Sequence, residues 1–274
     1  MDVRLHKLAR THYENFPVGS RFIPARYREA VHLVYAFARV ADDIADEGTM
    51  VRSERIRKLT EWETLLLESL NGTVTDGFFS GLASVIHRYQ IPVQYFQDLV
   101  SAFKQDTGNP EYQTFDEIID YCSRSANPVG RIMLKIFNSS DARTEALSDH
   151  ICTALQLTNF LQDISIDTRR NRFYISAKEL TDCGLDRHDL AGRDKKEAMI
   201  RLMKSQVERT RQIFGQGKEL FPLVHNDLRF ELKLIWHGGM RILEKIEALG
   251  YDTRHVRPSL TMADTFLIVL RAMR

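Results

Sequence analysis

Four aspartates arranged in two DxxxD pairs, Asp42/Asp46 and Asp163/Asp167, are the residues whose type and spacing could do chemistry in this chain. The first pair lies in VYAFARVADDIAD, residues 34–46, where Tyr35, Arg39, Asp42 and Asp46 step by four, three and four. On a helix of about 3.6 residues per turn these share one face, and the other faces are apolar, the pattern of a helix that is buried. The second pair lies in ICTALQLTNFLQDISIDTRRNRFYIS, residues 151–176, where Gln156, Asn159, Asp163 and Asp167 step by three, four and four. Inward carboxylates are costly: two like charges about 4 Å apart repel by ~4 kcal/mol at an effective dielectric near 20. They must be protonated, paired with cations or bridged by metal.

All-oxygen donors point to a hard divalent cation. Mg2+ keeps water and commonly uses one or two carboxylates together with substrate phosphates, so two such helices suit a diphosphate held through magnesium. Arg39 and Arg172, with Arg169 or Arg170, could take the remaining phosphate oxygens; a solvated basic cluster is the alternative for Arg169, Arg170 and Arg172, and the preferred reading for the first two. The spacing alone is weak. Four DxxxD pairs occur among 20 aspartates, and Asp116/Asp120 and Asp182/Asp186 lack apolar surroundings and read as solvated faces or caps. For Asp42/Asp46 taken alone, ion pairs or helix-end charges explain the spacing as well. The second polar stripe tips the balance.

Other chemistries find no support. Nine histidines are dispersed, with no HExxH, no GxSxG and no GxGxxG, so no nicotinamide cofactor is expected. What remains is ionisation, with metal stabilising a departing diphosphate and a carbocation steered inside a dry, aromatic-walled cavity. Phe16, Tyr35, Phe37, Tyr121 and Tyr174 are candidate walls; core packing explains any one of them singly and is the preferred reading for Phe37.

The elements that must position these residues are helical. Apolar residues recur at helical spacing over roughly 3–14, 24–47, 52–70, 76–90, 92–106, 114–138, 142–165, 176–183, 189–221, 223–249 and 261–273. Turn signals fall at EGT 47–49, NGT 71–73, Ile91-Pro92, TGNP 107–110 and RPS 257–259. The expectation is one all-α domain spanning 1–274. The 274 residues are 43% hydrophobic and 27% charged with a formal charge of +1, an ordinary globular balance with no footprint for nucleic acid. Cys122, Cys152 and Cys183 fit no metal or disulfide framework, so reduced thiols in a cytoplasmic protein are expected. The opening residues lack the apolar run of a secretory signal, and TFLIVL near the C-terminus is too short to cross a bilayer. A peripheral membrane contact stays open.

Taken together, YAFARVADDIAD, YCSRSANPVG at 121–130 and QLTNFLQDISIDTRRNRFY at 156–174 resemble the squalene/phytoene synthase family, which joins prenyl chains head to head. The resemblance implies an isoprenoid-synthase helical bundle around a central cavity. It implies that Asp42, Asp46, Asp163 and Asp167, assisted by Asn159, hold roughly two or three Mg2+ ions bridging the substrate diphosphate. Arg39, Gln156 and Arg172 fall on diphosphate-contacting positions; Phe16, Tyr35 and Tyr121 fall on cavity-lining ones. ENFPVGSRFIPAR with NFLQDISID looks more narrowly like the hydroxysqualene-forming branch of hopanoid biosynthesis. That likeness implies ionisation of presqualene diphosphate to hydroxysqualene, with a presqualene diphosphate synthase supplying the substrate and a flavoprotein reductase consuming the alcohol. A condensing enzyme working on two prenyl diphosphates and an inactive scaffold relative are the alternatives.

Two departures from the family pattern stand out. Gln162 occupies the position before Asp163 where most members carry arginine, which favours a preassembled C30 diphosphate over condensation. SANPVG at 125–130 replaces a segment of small residues; Pro128 is expected to bend its helix. Asn127 then either positions the water that quenches the cation or satisfies backbone groups freed by Pro128.

Overall fold

The computed structural model describes residues 23–73 and 77–274. Among the described residues 74% are helical and no strand occurs, as an all-α fold requires. Phe16 and the helix expected at 3–14 lie outside the described residues. The chain forms two compact units. Of the described residues, the first comprises 23–73, 77–108, Pro128–Glu145 and Leu223–Glu231; the second comprises Asn109–Asn127, Ala146–Pro222 and Leu232–Arg274.

The first unit is built on α1 (Ala25–Asp46), α2 (Arg52–Leu70), α3 (Gly77–Tyr89) and α4 (Gln94–Asp106). Helix α1 buries Tyr27, Ala30, Val31, Val34, Phe37, Ala41 and Ala45, a three-and-four spacing that lays one continuous apolar stripe along it. Phe37 is fully buried, edge-on to Phe96 at 5.3 Å and stacked on Trp62 at 5.7 Å; Trp62 in turn packs on Phe78 and Phe79. Phe37 is thus core packing. The exit from α1 is fixed by Arg55, whose guanidinium donates to the carbonyls of Ile44, Gly48 and Met50 at 2.8, 2.9 and 3.1 Å. Those carbonyls lie in the last turn of α1 or just beyond it, where no helical partner exists.

The second unit contains α5 (Phe115–Ser125) and the greater part of α7 (Ala142–Gln162). It also holds α8 (Ile164–Asp167), α9 (Ala177–Asp182), α10 (Lys196–Gly217), most of α11 (Asn226–Ala248) and α12 (Met262–Ala272). Two glycines permit close approach of α7, α10 and α11. A methyl group at Gly239 would stand 2.5 Å from Phe214 Cζ, and one at Gly217 would stand 2.4 Å from Ile151 Cγ1. The buried Arg254 pairs with Asp252 at 2.8 Å and donates to the Asp194 carbonyl at 2.9 Å, pinning the 189–194 loop to the segment before α12.

Most helix boundaries fall within two residues of the sequence expectation. Three expectations are corrected. The helix expected at 114–138 is two, α5 and α6 (Asn127–Ile136), because the chain breaks at Ala126 and Pro128 sits in the first turn of the new helix, where its missing N–H costs nothing. The helix expected to start at 189 starts at Lys196, after Lys195 adopts φ 51°. The helix expected at 142–165 ends at Gln162, since Asp163, at φ −101° and ψ 9°, leaves the helical region.

Candidate active site

Within the first unit, α1 places Tyr35, Arg39, Asp42 and Asp46 on one half-buried face, as the spacing predicts. Arg39 draws the acids together: its guanidinium reaches Asp42 at 2.9 Å, Asp43 at 2.7 Å and Glu47 at 3.3 Å. All of these partners come from the same helix or its C-terminal cap, so the cluster forms as soon as α1 forms. Asp42 keeps 40% of its side chain exposed, against 21% for Asp43. Burial raises the Tyr35 hydroxyl above its ordinary pKa; Arg39 opposes this, while the charges of Asp42 and Asp43 reinforce it. Tyr35 is therefore a neutral hydroxyl over the working pH range. Asp43, which the spacing argument passed over, is an equal partner of Arg39.

The second unit gathers the remaining residues around the break at Asp163. Gln156 and Asn159 are half-buried on α7, and the Asn159 carbonyl accepts the Asp163 N–H at 2.9 Å. The Asp163 carbonyl accepts the N–H groups of Ile166 and Asp167 at 2.8 and 2.9 Å, starting the short turn α8. The polar stripe is thus a helix, a one-residue break and a turn, not a single rod. The Arg172 N–H returns to the Asp167 carbonyl at 2.9 Å, with Asn171 in the left-handed region at φ 56°. Asp167, Arg172 and Tyr174 consequently line one small pocket with Phe160 and Ile164.

An aromatic wall stands on this segment. Phe160 and Tyr174 stack face to face at 4.0 Å and 3°, and Tyr121, buried on α5, lies 5.9 Å from Tyr174 and 6.1 Å from Phe160. Tyr112 completes the group, 5.8 Å from Tyr121. Tyr121 and Tyr174 were legible as candidates; Phe160 and Tyr112 were not, because a single aromatic on an apolar helix has no distinguishing signal. Asn127 is buried at the start of α6, and its amide oxygen accepts the Thr153 hydroxyl at 3.0 Å. Arg169 and Arg170 are exposed, as are Asp116, Asp120, Asp182 and Asp186.

Sequence reasoning missed Arg257 altogether. Its guanidinium pairs with Asp163 at 2.5 Å from 94 positions away. The loop that brings it is tied to the end of α7 by two bonds: Thr253 donates to the Leu161 carbonyl at 2.8 Å, and the buried Gln162 amide donates to the Pro258 carbonyl at 2.6 Å. Where the family pattern has arginine before the aspartate, this chain has a glutamine that holds a loop bearing one.

Each acidic segment offers a pair of carboxylates, and among the described residues no group of three or more His, Cys, Asp or Glu could hold a metal by itself. A hard cation held by one such pair would need water or phosphate oxygens to complete its shell. The three cysteines form no disulfide, and burial pushes the Cys122 thiol up to about 12, outside any reactive range.

Comparison with known proteins identifies the family. Hydroxysqualene synthases of Sinorhizobium fredii and Rhodopseudomonas palustris are each 34% identical over 236 residues, spanning 85% of this chain and 80% of theirs. The crystal structure of squalene synthase HpnC from Alicyclobacillus acidocaldarius superposes with a TM-score of 0.85 at 35% identity, over 91% of this chain and 94% of that one. A dehydrosqualene synthase crystallised with a ligand shares the fold at a TM-score of 0.87 and 21% identity, over 98% and 94% of the two chains. The family model for squalene/phytoene synthase matches residues 9–264. The chain is a member of the squalene/phytoene synthase family of isoprenoid enzymes.

Proposed function

We propose that this enzyme ionises presqualene diphosphate and captures the rearranged cation with water, releasing hydroxysqualene and diphosphate. The observation that carries the reading is the 160–174 segment, where Asp167 and Arg172 line one pocket with the stacked Phe160 and Tyr174, and Tyr121 neighbours Tyr174. A polar group for a diphosphate and an aromatic wall for a cation lie on one stretch of chain. The relatives named hydroxysqualene synthase support the choice of reaction.

Asp42 and Asp46 of the first unit, and Asn159, Asp163 and Asp167 of the second, would hold Mg2+, which when bound would supply Lewis-acid stabilisation of the negative charge on the departing diphosphate. Arg39, Gln156, Arg172 and Arg257 orient its oxygens through charge-assisted and amide hydrogen bonds. The C–O bond breaks heterolytically, both electrons leaving with the diphosphate. Tyr121, Tyr174 and Phe160 of the second unit and Tyr35 of α1 are the aromatic rings assigned to stabilise positive charge, which such rings do without reacting with it. Phe16 is assigned the same role by resemblance. Asn127, whose amide oxygen accepts the Thr153 hydroxyl, keeps its amide N–H groups as donors and is assigned the role of positioning the quenching water. The water oxygen bonds to the cation and loses a proton to solvent. No nicotinamide is used.

Purified enzyme with Mg2+ and presqualene diphosphate should yield hydroxysqualene by mass spectrometry, and farnesyl diphosphate should be left untouched. Turnover of farnesyl diphosphate to a C30 product would instead assign condensation. Asn127→Ala should shift products away from the alcohol; an unchanged product ratio at full activity would remove the residue from the quench.

A further inference from the structure

One charged cluster of the second unit has no part in the proposed reaction: Glu179 on α9, with Gln206 and Arg209 on α10. The Glu179 carboxylate, 18% exposed, accepts the hydroxyl of the fully buried Ser176 at 2.6 Å, the amide of the buried Gln206 at 2.9 Å and the Arg209 guanidinium. Burial pushes that carboxyl up, but the bonds from Ser176, Arg209 and Gln206 outweigh it and hold it below its ordinary range, so it stays charged. Arg209 also donates to the Gln206 side-chain oxygen at 2.6 Å, and its guanidinium carbon lies 3.5 Å over the centre of the Phe115 ring. A guanidinium forks and stacks in this way; an ammonium does not.

These contacts fall on the two segments that carry the aromatic wall. Phe115 opens α5, which bears Tyr121, and it follows Tyr112 by three residues; Ser176 caps α9 two residues after Tyr174. The first two N–H groups of α9 have no helical acceptor, and they go to the carbonyls of Tyr112 and Gln113 at 2.9 and 3.1 Å. The two segments are thereby tied together, with the Tyr112 ring 6.1 Å from Tyr174 and 5.8 Å from Tyr121. Arg209 grips both from a third helix, one through the Phe115 ring and the other through Glu179. Ring faces act on a cation only within about 6 Å of the ring centre. The spacing of the rings therefore decides which position of a migrating charge they favour.

We propose that Arg209 is a positioning residue: through Glu179 and Phe115 it sets the spacing of Tyr112, Tyr121 and Tyr174 and thereby, on the reading that these rings face the cation, what the cation becomes. The test compares the wild type with Arg209→Ala and with Arg211→Ala, a control on the same helix that removes an ion pair to Glu247. Arg209→Ala should lower kcat with presqualene diphosphate by about tenfold, leave KM within about twofold and divert part of the product away from hydroxysqualene. The tyrosine band of the near-ultraviolet circular dichroism, read without substrate, should change in Arg209→Ala and stay as it is in Arg211→Ala. Arg209→Lys keeps the charge and loses the fork, and Phe115→Leu keeps the packing and loses the ring; each should show part of the same kcat and product change. These two decide the matter if Arg209→Ala does not fold. A wild-type tyrosine band in the variants would overturn the proposal, as would a raised KM at unchanged kcat. So would a lowered melting temperature with kcat and products unaltered in the folded enzyme, or an equal response in Arg211→Ala. If the wild type itself makes no hydroxysqualene, the reaction proposed above falls, and the tyrosine band still decides whether Arg209 positions the wall.

Discussion

In α1 the cation facing the acids comes from the same helix, whereas at Asp163 it arrives from 94 positions further along the chain. Arg39 reaches Asp42 and Asp43 at one turn's distance, and the only preparation needed is the helix itself. Asp163 sits where α7 breaks, and Arg257 meets it only because Thr253 and Gln162 hold the intervening loop against the last turn of α7. One acidic segment is preorganised by secondary structure and the other by tertiary structure. The second should therefore be sensitive to residues that carry no charge and touch no ligand.

The harshest break of both segments is removal of an acid. Asp42→Asn and Asp163→Asn should each reduce turnover by at least about 10³-fold while circular dichroism stays unchanged, as expected for groups that stabilise a departing diphosphate. Retained activity in either would overturn the role of that segment. Next comes the contrast itself. Arg257→Gln should lower kcat/KM by about 10²-fold, and Gln162→Ala by about tenfold through a displaced loop. In the Arg257→Gln background the Gln162 substitution should cost almost nothing more, since both act through one contact. Additive losses would mean that Gln162 acts elsewhere.

A third substitution asks whether α1 depends on its core or on its charges. Phe37→Ala should destabilise the fold by ~3–5 kcal/mol in urea titration, the cost of emptying a packed aromatic site. The remaining folded fraction should keep its activity, because the Arg39 cluster is internal to the helix.

The smallest expected effect involves neither segment. Burial, and after it Arg271, Lys218 and Lys233, hold the His237 imidazole below its ordinary pKa, with Glu244 opposing. The unfolded chain takes up that proton first, so its contribution is full above about pH 6.5 and is lost as pH falls below it. His237→Gln should flatten the acid side of the melting-temperature profile and leave it unchanged above pH 7.5. A wild-type slope in the variant would show that other groups govern it.

Much of this was legible from residue spacing. The α1 stripe, its apolar backing and its end at Glu47 follow from periodicity because every partner lies within eight positions. The solvated character of Asp116/Asp120 and Asp182/Asp186 was legible for the same reason: no apolar face adjoins them. The break at Asp163 was not. Apolar spacing continues through Ile164 and Ile166, so periodicity alone extends the helix over a residue that turns the chain. Asn127 was legible as a departure, yet its bond to Thr153, 26 positions on, was not, and the bend expected at Pro128 proved to be a restart one residue earlier.

The sequence by itself determined an all-helical chain, two acid pairs on apolar segments and, through their combination, the family. Those depend on interactions within a turn or two, which residue order dictates. Only the tertiary structure decided that Arg257 answers Asp163, that Phe160 and Tyr112 join Tyr121 and Tyr174, and that one face of α12 is left bare. The reason is physical: which distant groups meet depends on how helices pack and where loops close. Local spacing carries no record of either.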